Sequence, residues 1–355
     1  MPLERLQIDS VRCLQAVDVE LDPRRNYLFG LNGAGKTSFL ESIFLLGRGR
    51  SFRTRQTARL VRRGSDGLTV YGEVRSSGRR RRIGVSLGGG ELKIRIDGEA
   101  SLGMSQLAEV MAVHVMGSKL HRLIEAGPSE RRRYVDGGVF HVEHGYLEIW
   151  RHYRRVLGQR NAALKRGLSG APLAVWTRPV LAAAEAVHAA RQRYTEELSA
   201  LVEQVGGRLL DRPLRIVYRP GWRQGVSLEQ ALRESLERDT RTGFTQVGPH
   251  RADVDIRMDA GSVRDHASRG QQKLIAAALV LAQVRLFGQR TGRGGLLLVD
   301  DPAAELDAES LARLMAELET LATQLFLTGL SDQALRPRKG FPVFHVERGQ
   351  VEAVV

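Results

Sequence analysis

Short clusters of residues along this chain have the side chains and the spacing that phosphate chemistry needs. The first is Gly30-Leu31-Asn32-Gly33-Ala34-Gly35-Lys36-Thr37, followed by Ser38, and it fits the pattern G-x-x-x-x-G-K-[ST] in full. Its glycines let the backbone wrap closely, so that successive N–H groups point inward and form an anion nest. A helix starting there adds the positive end of its dipole. Lys36 is then placed to bridge β- and γ-phosphates and the Thr37 hydroxyl to bind Mg²⁺, which makes Mg²⁺–ATP the expected ligand. A plain glycine-rich turn is the competing reading. The strand signal before the loop and the amphipathic helix signal after it favour the phosphate loop.

The second cluster is Leu296-Leu297-Leu298-Val299-Asp300-Asp301-Pro302. Four apolar residues in a row describe a strand buried on both faces, as in the middle of a parallel sheet. At its carboxyl end Asp300 is placed to hold Mg²⁺, directly or through water, and Asp301 to polarise an attacking water. Adjacent acids after a strand also cap helices, so this pair gains its meaning from the loop at Lys36. The third cluster, Ser268-Arg269-Gly270-Gln271-Gln272-Lys273, opens a helix carrying Leu274, Ile275, Ala278 and Leu281. Taken alone, Ser268 as an N-cap explains it.

The elements that must position these groups follow from hydrophobic periodicity. Leu6, Ile8 and Val11, then Val17, Val19 and Leu21, alternate as in strands, and Tyr27-Leu28-Phe29 is a buried strand running into Gly30. Phe39, Leu40, Ile43, Phe44 and Leu46 fall at helical spacing, and Gly47 is expected to stop that helix. Segments 68–75, 82–87 and 92–96 read as a β-meander, with Gly88-Gly89-Gly90 joining the last two. From about 129 to 238 the chain is rich in Ala, Leu, Glu and Arg with helical periodicity and few strand signals. A Gly/Pro break over 167–172 separates two long helices there, and the heptads are too short for an extended coiled-coil arm. After Gly248 the α/β pattern returns: helix 271–286, strand 296–299, helix 310–320, and strands 325–328 and 343–346.

Composition narrows the class. The 355 residues suffice for one large domain or two modest ones, and 42% are hydrophobic, an ordinary globular value. No apolar stretch reaches the ~20 residues of a bilayer span. Met1-Pro2-Leu3-Glu4-Arg5 lacks the apolar core of a secretion signal. Cys13 is the only cysteine, which leaves neither an internal disulfide nor a cysteine-based metal site. A cytoplasmic protein without a membrane partner is expected. Lys and Arg total 54 against 40 acids, a net charge of +14, which favours a polyanionic partner such as DNA. Only six of the basic residues are Lys, and an Arg-heavy chain also follows from a GC-rich genome, so charge is a footprint rather than proof. The runs Arg79, Arg80, Arg81, Arg82 and Arg131, Arg132, Arg133 read either as phosphate contacts or as a solvated hairpin and a helix start.

A Ser-x-Gly-Gln helix start upstream of a strand ending in Asp-acid-Pro resembles ABC-type ATPases. In these, the serine and helix N-terminus of one subunit touch the γ-phosphate held by the other. Ala304-Glu305-Leu306-Asp307 resembles their D-loop, and Thr328 stands where their γ-phosphate sensor belongs. Three further segments narrow the likeness. They are Gly47-Arg48-Gly49-Arg50-Ser51-Phe52-Arg53-Thr54, residues 123–136 with Gly127-Pro128-Ser129-Glu130 at their centre, and Gly248-Pro249-His250-Arg251-Ala252-Asp253. Over essentially its whole length the chain resembles the RecF family of bacterial DNA replication and repair proteins.

That resemblance implies an α/β fold: a P-loop ABC-type, Rad50-like ATPase head of mixed sheets and helices, residues 1–120 and 245–355, with an inserted helical second lobe at 121–244. It implies weak, DNA-stimulated ATP hydrolysis used as a switch, and an ATP-dependent homodimer on single-stranded, double-stranded or gapped DNA. It further implies action with RecR and RecO to place RecA during recombinational repair in the SOS response, at the nucleoid. For the nucleotide it implies residues 30–38, Arg12 and Thr328, with Ser268, Gly270 and Gln271 supplied by the second copy. Thr37 and Asp300 would take Mg²⁺, and Asp301 with Lys36 would be catalytic. His250 would be a γ-phosphate or interlobe contact, or else a satisfied buried histidine. Arg269 stands for the first signature glycine and Asp301 for the catalytic glutamate; the shorter carboxylate suits slow turnover. A transporter ATPase subunit and a chromosome-organising SMC-like head are the alternatives, disfavoured by the long central insertion and the missing arms.

Overall fold

Every residue of Leu296–Val299 and Gln324–Gly329 is buried, as in strands covered on both faces of a parallel sheet. In the computed structural model they are the middle of one of two six-stranded sheets. The structure describes residues 1–355 except 77, 102, 144, 260, 305, 332–339 and 355. In chain order the strands are β1 (Leu3–Val11), β2 (Leu14–Glu20), β3 (Arg25–Phe29), β4 (Gly67–Ser76), β5 (Arg79–Gly88), β6 (Glu91–Ile96), β7 (Glu99–Ala100), β8 (Val113–Met116), β9 (Leu214–Arg219), β10 (Asp253–Met258), β11 (Gly261–Ser262), β12 (Leu296–Val299), β13 (Gln324–Gly329), β14 (Val343–Glu347) and β15 (Gln350–Val354). The helices are α1 (Lys36–Arg48), α2 (Met104–Val110), α3 (Arg122–Glu125), α4 (Pro128–Val142), α5 (Tyr146–Lys165), α6 (Gly170–Leu210), α7 (Leu228–Glu234), α8 (Leu236–Thr242), α9 (Val263–His266), α10 (Arg269–Thr291) and α11 (Ala308–Glu319). None of the described helices is long and apolar enough to cross a membrane. Two compact units result, Met1–Leu120 with Ala277–Val355, and His121–Ala276.

In the first unit an antiparallel sheet, order β2-β1-β4-β5-β6-β7, contains the meander expected between 68 and 96. The second sheet has the order β15-β14-β3-β13-β12-β8. Its members from β14 to β8 run parallel, and β15 adds an antiparallel edge. Helix α1 shares one core with both sheets. Phe39, Leu40 and Ile43 are fully buried in a cluster with Leu6 and Val70 of the first sheet and Leu28, Leu298 and Phe326 of the second. Gly47 does not stop α1. It is buried inside the helix, where a Cβ would lie 2.4 Å from Val113 Cγ2, so glycine serves close packing against β8. The helix closes two residues later at Gly49 (φ 62°), whose N–H reaches the Leu45 carbonyl, the left-handed position glycine favours.

In the second unit α5 and α6 carry the expected helical faces. Val180, Ala183, Val187, Tyr194, Leu198 and Val202 recur along the buried side of α6. The stretch expected to be helical also contains β9, which pairs with β10 from Leu214↔Met258 to Arg219↔Asp253. That pairing draws 253–258 into the second unit, which therefore ends at Ala276 rather than at 244. Three arginines are consumed by buried ion pairs. Arg160 meets Asp239 at 2.8 Å and also donates to Thr245 Oγ1. Arg191 meets Asp136 at 2.7 Å and donates to the Pro249 carbonyl. Arg131 meets Asp253 at 2.7 Å and donates to the Ala126 carbonyl. Such pairs tolerate burial only because further hydrogen bonds satisfy the guanidinium. Arg132 donates to the Ala252 carbonyl and Arg133 to Glu130, so this basic run is a helix start tied to its own unit. On the β4–β5 hairpin of the first unit, Arg80 lies near Glu4 and Glu73, and Arg81 pairs with Asp97.

The shared core of the first unit makes a plain prediction. Leu298 is fully buried and Val175 is 67% exposed. Leu298→Ala should lower the unfolding free energy by about 2–5 kcal/mol through lost burial and cavity formation. Val175→Ala should stay within about 0.5 kcal/mol, both read by urea denaturation followed by circular dichroism.

Candidate functional site

Strand β3 ends at Phe29 and the chain turns at Gly30, where φ is 153° and an added Cβ would stand 2.1 Å from the Val346 carbonyl oxygen. Only glycine fits there. The loop then folds on itself through Ala34 N–H to the Leu31 carbonyl (3.2 Å), and the Ala34 carbonyl accepts from Gly349 N–H (2.9 Å). The β14–β15 turn thus braces the loop from behind. Leu31 is 78% exposed at its tip, and Asn32 and Gly33 are exposed beside it. Helix α1 begins directly at Lys36, so its N-terminal amides and positive dipole end belong to the loop.

The parallel order of β3, β13 and β12 brings three carboxyl ends together, with Val299↔Leu327 and Leu327↔Tyr27 in register. Ligands of open α/β sheets bind outside this edge. Asp300, just past β12, accepts hydrogen bonds from Thr37 Oγ1 (3.0 and 3.1 Å) and Thr328 Oγ1 (3.0 Å). Burial pushes its carboxyl above the usual range, opposed by the two threonines and by Arg53, and reinforced by the neighbouring Asp301. Thr328 is fully buried and also accepts from Asp301 N–H at 2.9 Å. Its hydroxyl is therefore engaged by the two acids. Asp301 has φ 49°, a left-handed conformation unusual outside glycine and found where a site demands a sharp turn. Lys36 Nζ donates to the Gly30 carbonyl (2.6 Å) and the Leu31 carbonyl (3.0 Å). Burial lowers its pKa, while Asp301 and Asp300 act in the opposite direction.

Around this centre lies a network that periodicity did not disclose. Glu41, fully buried on α1, receives both Arg12 Nε (3.1 Å) and Arg12 NH2 (3.0 Å), together with the Ser51 hydroxyl, and Arg53 approaches at 3.9 Å. Arg12 is thus held by Glu41 at a left-handed residue (φ 56°) in the β1–β2 turn. An acid on the apolar face of the helix, four residues after Thr37, was the available signal. Ser38 is buried, with its hydroxyl 3.6 Å from Cys13 Sγ.

The remaining expected residues belong to the second unit. Ser268 Oγ accepts from Gln271 N–H (3.3 Å) while Gln271 Oε1 accepts from Ser268 N–H (3.0 Å), a reciprocal capping box. Ser268 is exposed, Gly270 and Gln271 are half-buried, and the serine proton remains able to donate. Both ring nitrogens of His250 are partnered, Nδ1 with Tyr153 OH (2.7 Å) and Nε2 with the Thr245 carbonyl (2.9 Å). Burial lowers its pKa to about 4, so it is a satisfied neutral histidine. Glu305, in the D-loop resemblance, lies outside the described residues.

The donors at Thr37 and Asp300 are hard oxygens, and Asp300 is a carboxylate whose charge burial disfavours. No group of three or more His, Cys, Asp or Glu among the described residues could hold a metal by itself. This fits Mg²⁺, which is held by one or two protein oxygens, waters and the phosphates of a nucleotide.

Comparison with known proteins agrees with this geometry. The family model of the RecF/RecN/SMC N-terminal domain matches residues 2–351. The DNA replication and repair protein RecF of Azotobacter vinelandii is 40% identical, covering 99% of this chain and 98% of its own. Those of Pseudomonas fluorescens and Vibrio vulnificus are 38% and 35% identical over 99% of this chain, covering 98% and 99% of their own. A solved structure of the recombination mediator protein RecF with ATP in the RecFOR pathway superposes with a TM-score of 0.87 at 26% identity, covering 100% of this chain and 98% of its own. An Smc head bound to the C-terminal winged-helix domain of ScpA shares the fold at a TM-score of 0.64 and 14% identity, covering 100% of this chain and 97% of its own. The expected ABC-type ATPase head of mixed sheets and helices is thus the fold observed. This chain belongs to the RecF/RecN/SMC N-terminal domain family and, within it, to the RecF proteins of DNA replication and repair.

Proposed function

We propose that this chain is an ATP-dependent DNA-binding switch that dimerises on ATP and acts with RecR and RecO to place RecA at gapped DNA. The observation that carries the reading is the carboxylate of Asp300, held by Thr37 and Thr328 beside the Lys36 ammonium. Residues 30–38 cradle the triphosphate, and Lys36 exchanges its two loop carbonyls for β- and γ-phosphate oxygens. Thr37 and Asp300 would hold Mg²⁺, whose charge would offset that on the phosphates. Asp301 polarises the attacking water, its backbone fixed by Thr328. Arg12, oriented by Glu41, lends positive charge to the same phosphates.

The first unit serves as the ATPase lobe and the second as the inserted lobe, which carries the Ser268 start of the signature helix. A second copy, related by a two-fold axis, supplies the exposed hydroxyl of Ser268 with Gly270 and Gln271 to the γ-phosphate. ATP therefore favours the dimer; a differential of about 5.5 kcal/mol turns a 1:99 population into 99:1. Slow, DNA-stimulated hydrolysis removes the preference and opens the clamp. The net charge of +14 suits phosphate neutralisation along DNA in the cytoplasm, at the nucleoid.

Two experiments test this. Lys36→Ala and Ser268→Arg should each abolish ATPase activity. An equimolar mixture should regain activity, about a quarter of wild type, because half the dimers carry one intact composite site. A mixture as inactive as its components would refute completion in trans. DNA affinity measured by anisotropy should fall about 10³-fold or more between roughly 50 and 200 mM salt, as six or more phosphate contacts require. A flat response would contradict phosphate-dominated binding.

A further inference from the structure

Within the second unit, a cleft of about 650 Å³ lies beside α6, β9 and the loop 220–226. Three rings line it. His188 stacks on Tyr218 (centroids 5.7 Å apart, planes 22° apart) and meets Trp222 edge-on (4.8 Å, 65°). Trp222 is fixed before any guest arrives, because its indole N–H donates to the Val226 carbonyl at 3.1 Å. The rest of the lining mixes apolar Ile216, Val217, Pro220 and Val226 with polar Gln192, Thr195 and Gln224. The one acid, Glu196, is engaged by the Gln192 amide at 2.9 Å. His188 Nδ1 is buried and has no hydrogen-bond partner among the described residues. Burial, aided by Arg191, lowers the pKa of His188, so the ring stacks as the neutral form.

We infer that this cleft takes an unstacked nucleobase of single-stranded DNA. A flat, partly polar guest suits preset rings rimmed by amides and hydroxyls, since aromatic side chains bind every base through its π-face. The volume is that of a small-molecule site. Charge supports a strand over a neutral guest. Arg223, between the lining residues Trp222 and Gln224, keeps its side chain 71% exposed and is only loosely paired with Glu234 at 3.6 Å, so it can meet an adjoining phosphate. A base in a duplex is stacked on both sides and cannot enter, so the cleft distinguishes the single-stranded part of a gap from its double-stranded flank. The inference rests on the DNA-binding reading above and adds a site and a strand preference to it.

The test uses the full chain with Mg²⁺–ATP and three labelled probes of equal length: oligo(dT), the same strand with abasic sites, and a blunt duplex. Wild type should prefer oligo(dT) to the abasic strand by about tenfold. Trp222→Leu should erase that preference and leave abasic and duplex binding unchanged, whereas Trp222→Phe, which keeps a ring, should retain most of it. Loss on all three probes alike, or on none, overturns the inference. So does quenching of tryptophan emission by free thymidine monophosphate as strong as by oligo(dT), or a variant whose only defect is binding to a polypeptide. A wild type that binds none of the probes overturns the DNA-binding reading itself.

Discussion

One carboxylate organises the candidate site. Asp300 stands at the end of a strand buried on both faces, where an ion without partners would be costly. Its oxygens take hydroxyls from Thr37 at the start of α1 and Thr328 at the end of β13. The loop, two strand ends and the helix are thereby drawn to one point. The same burial that raises the carboxyl's pKa would, in the proposed ATP-bound state, favour a divalent cation with phosphate oxygens in place of those hydroxyl protons. Asp301 follows in a strained backbone conformation that sets a second acid beside the first. The rest of the first unit can be understood as the scaffold that keeps this edge in register.

The second unit uses charge differently. Its arginines Arg131, Arg160 and Arg191 sit in low-dielectric surroundings against Asp253, Asp239 and Asp136. Part of the chain's basic excess is therefore structural and unavailable to DNA. What faces outward includes Arg223 and the hairpin residues Arg79, Arg80 and Arg82. A net charge counts both kinds equally, which is why composition alone is a weak guide to an interface.

The strand–loop–helix at 25–48 and the Asp300 strand end were legible as local structure because each combines a local pattern with a simple burial rule. The same is true of α1, the β4–β6 meander and the faces of α5 and α6. Other features depended on tertiary partners. Gly47 read as a helix stop, but its role is set by Val113 of β8, distant in sequence. Strand β9 was hidden in a stretch of helical composition, although Leu214, Ile216 and Tyr218 do alternate, because its status rests on pairing with β10. Glu41 carries no periodic signature, and only the fold brings Arg12 and Ser51 to it. Ser268 reads equally well as a cap, and its geometry is that of a cap; a role toward another copy is a property of an assembly.

The most direct measurement of the central claim is the Mg²⁺ dependence of ATP binding by wild type and by Asp300→Asn, followed by calorimetry. The wild-type chain should bind ATP about tenfold or more weakly when Mg²⁺ is chelated, and Asp300→Asn should bind with and without Mg²⁺ at that same weak level. Undiminished Mg²⁺-dependent binding by Asp300→Asn, in a variant that unfolds like wild type, would contradict it.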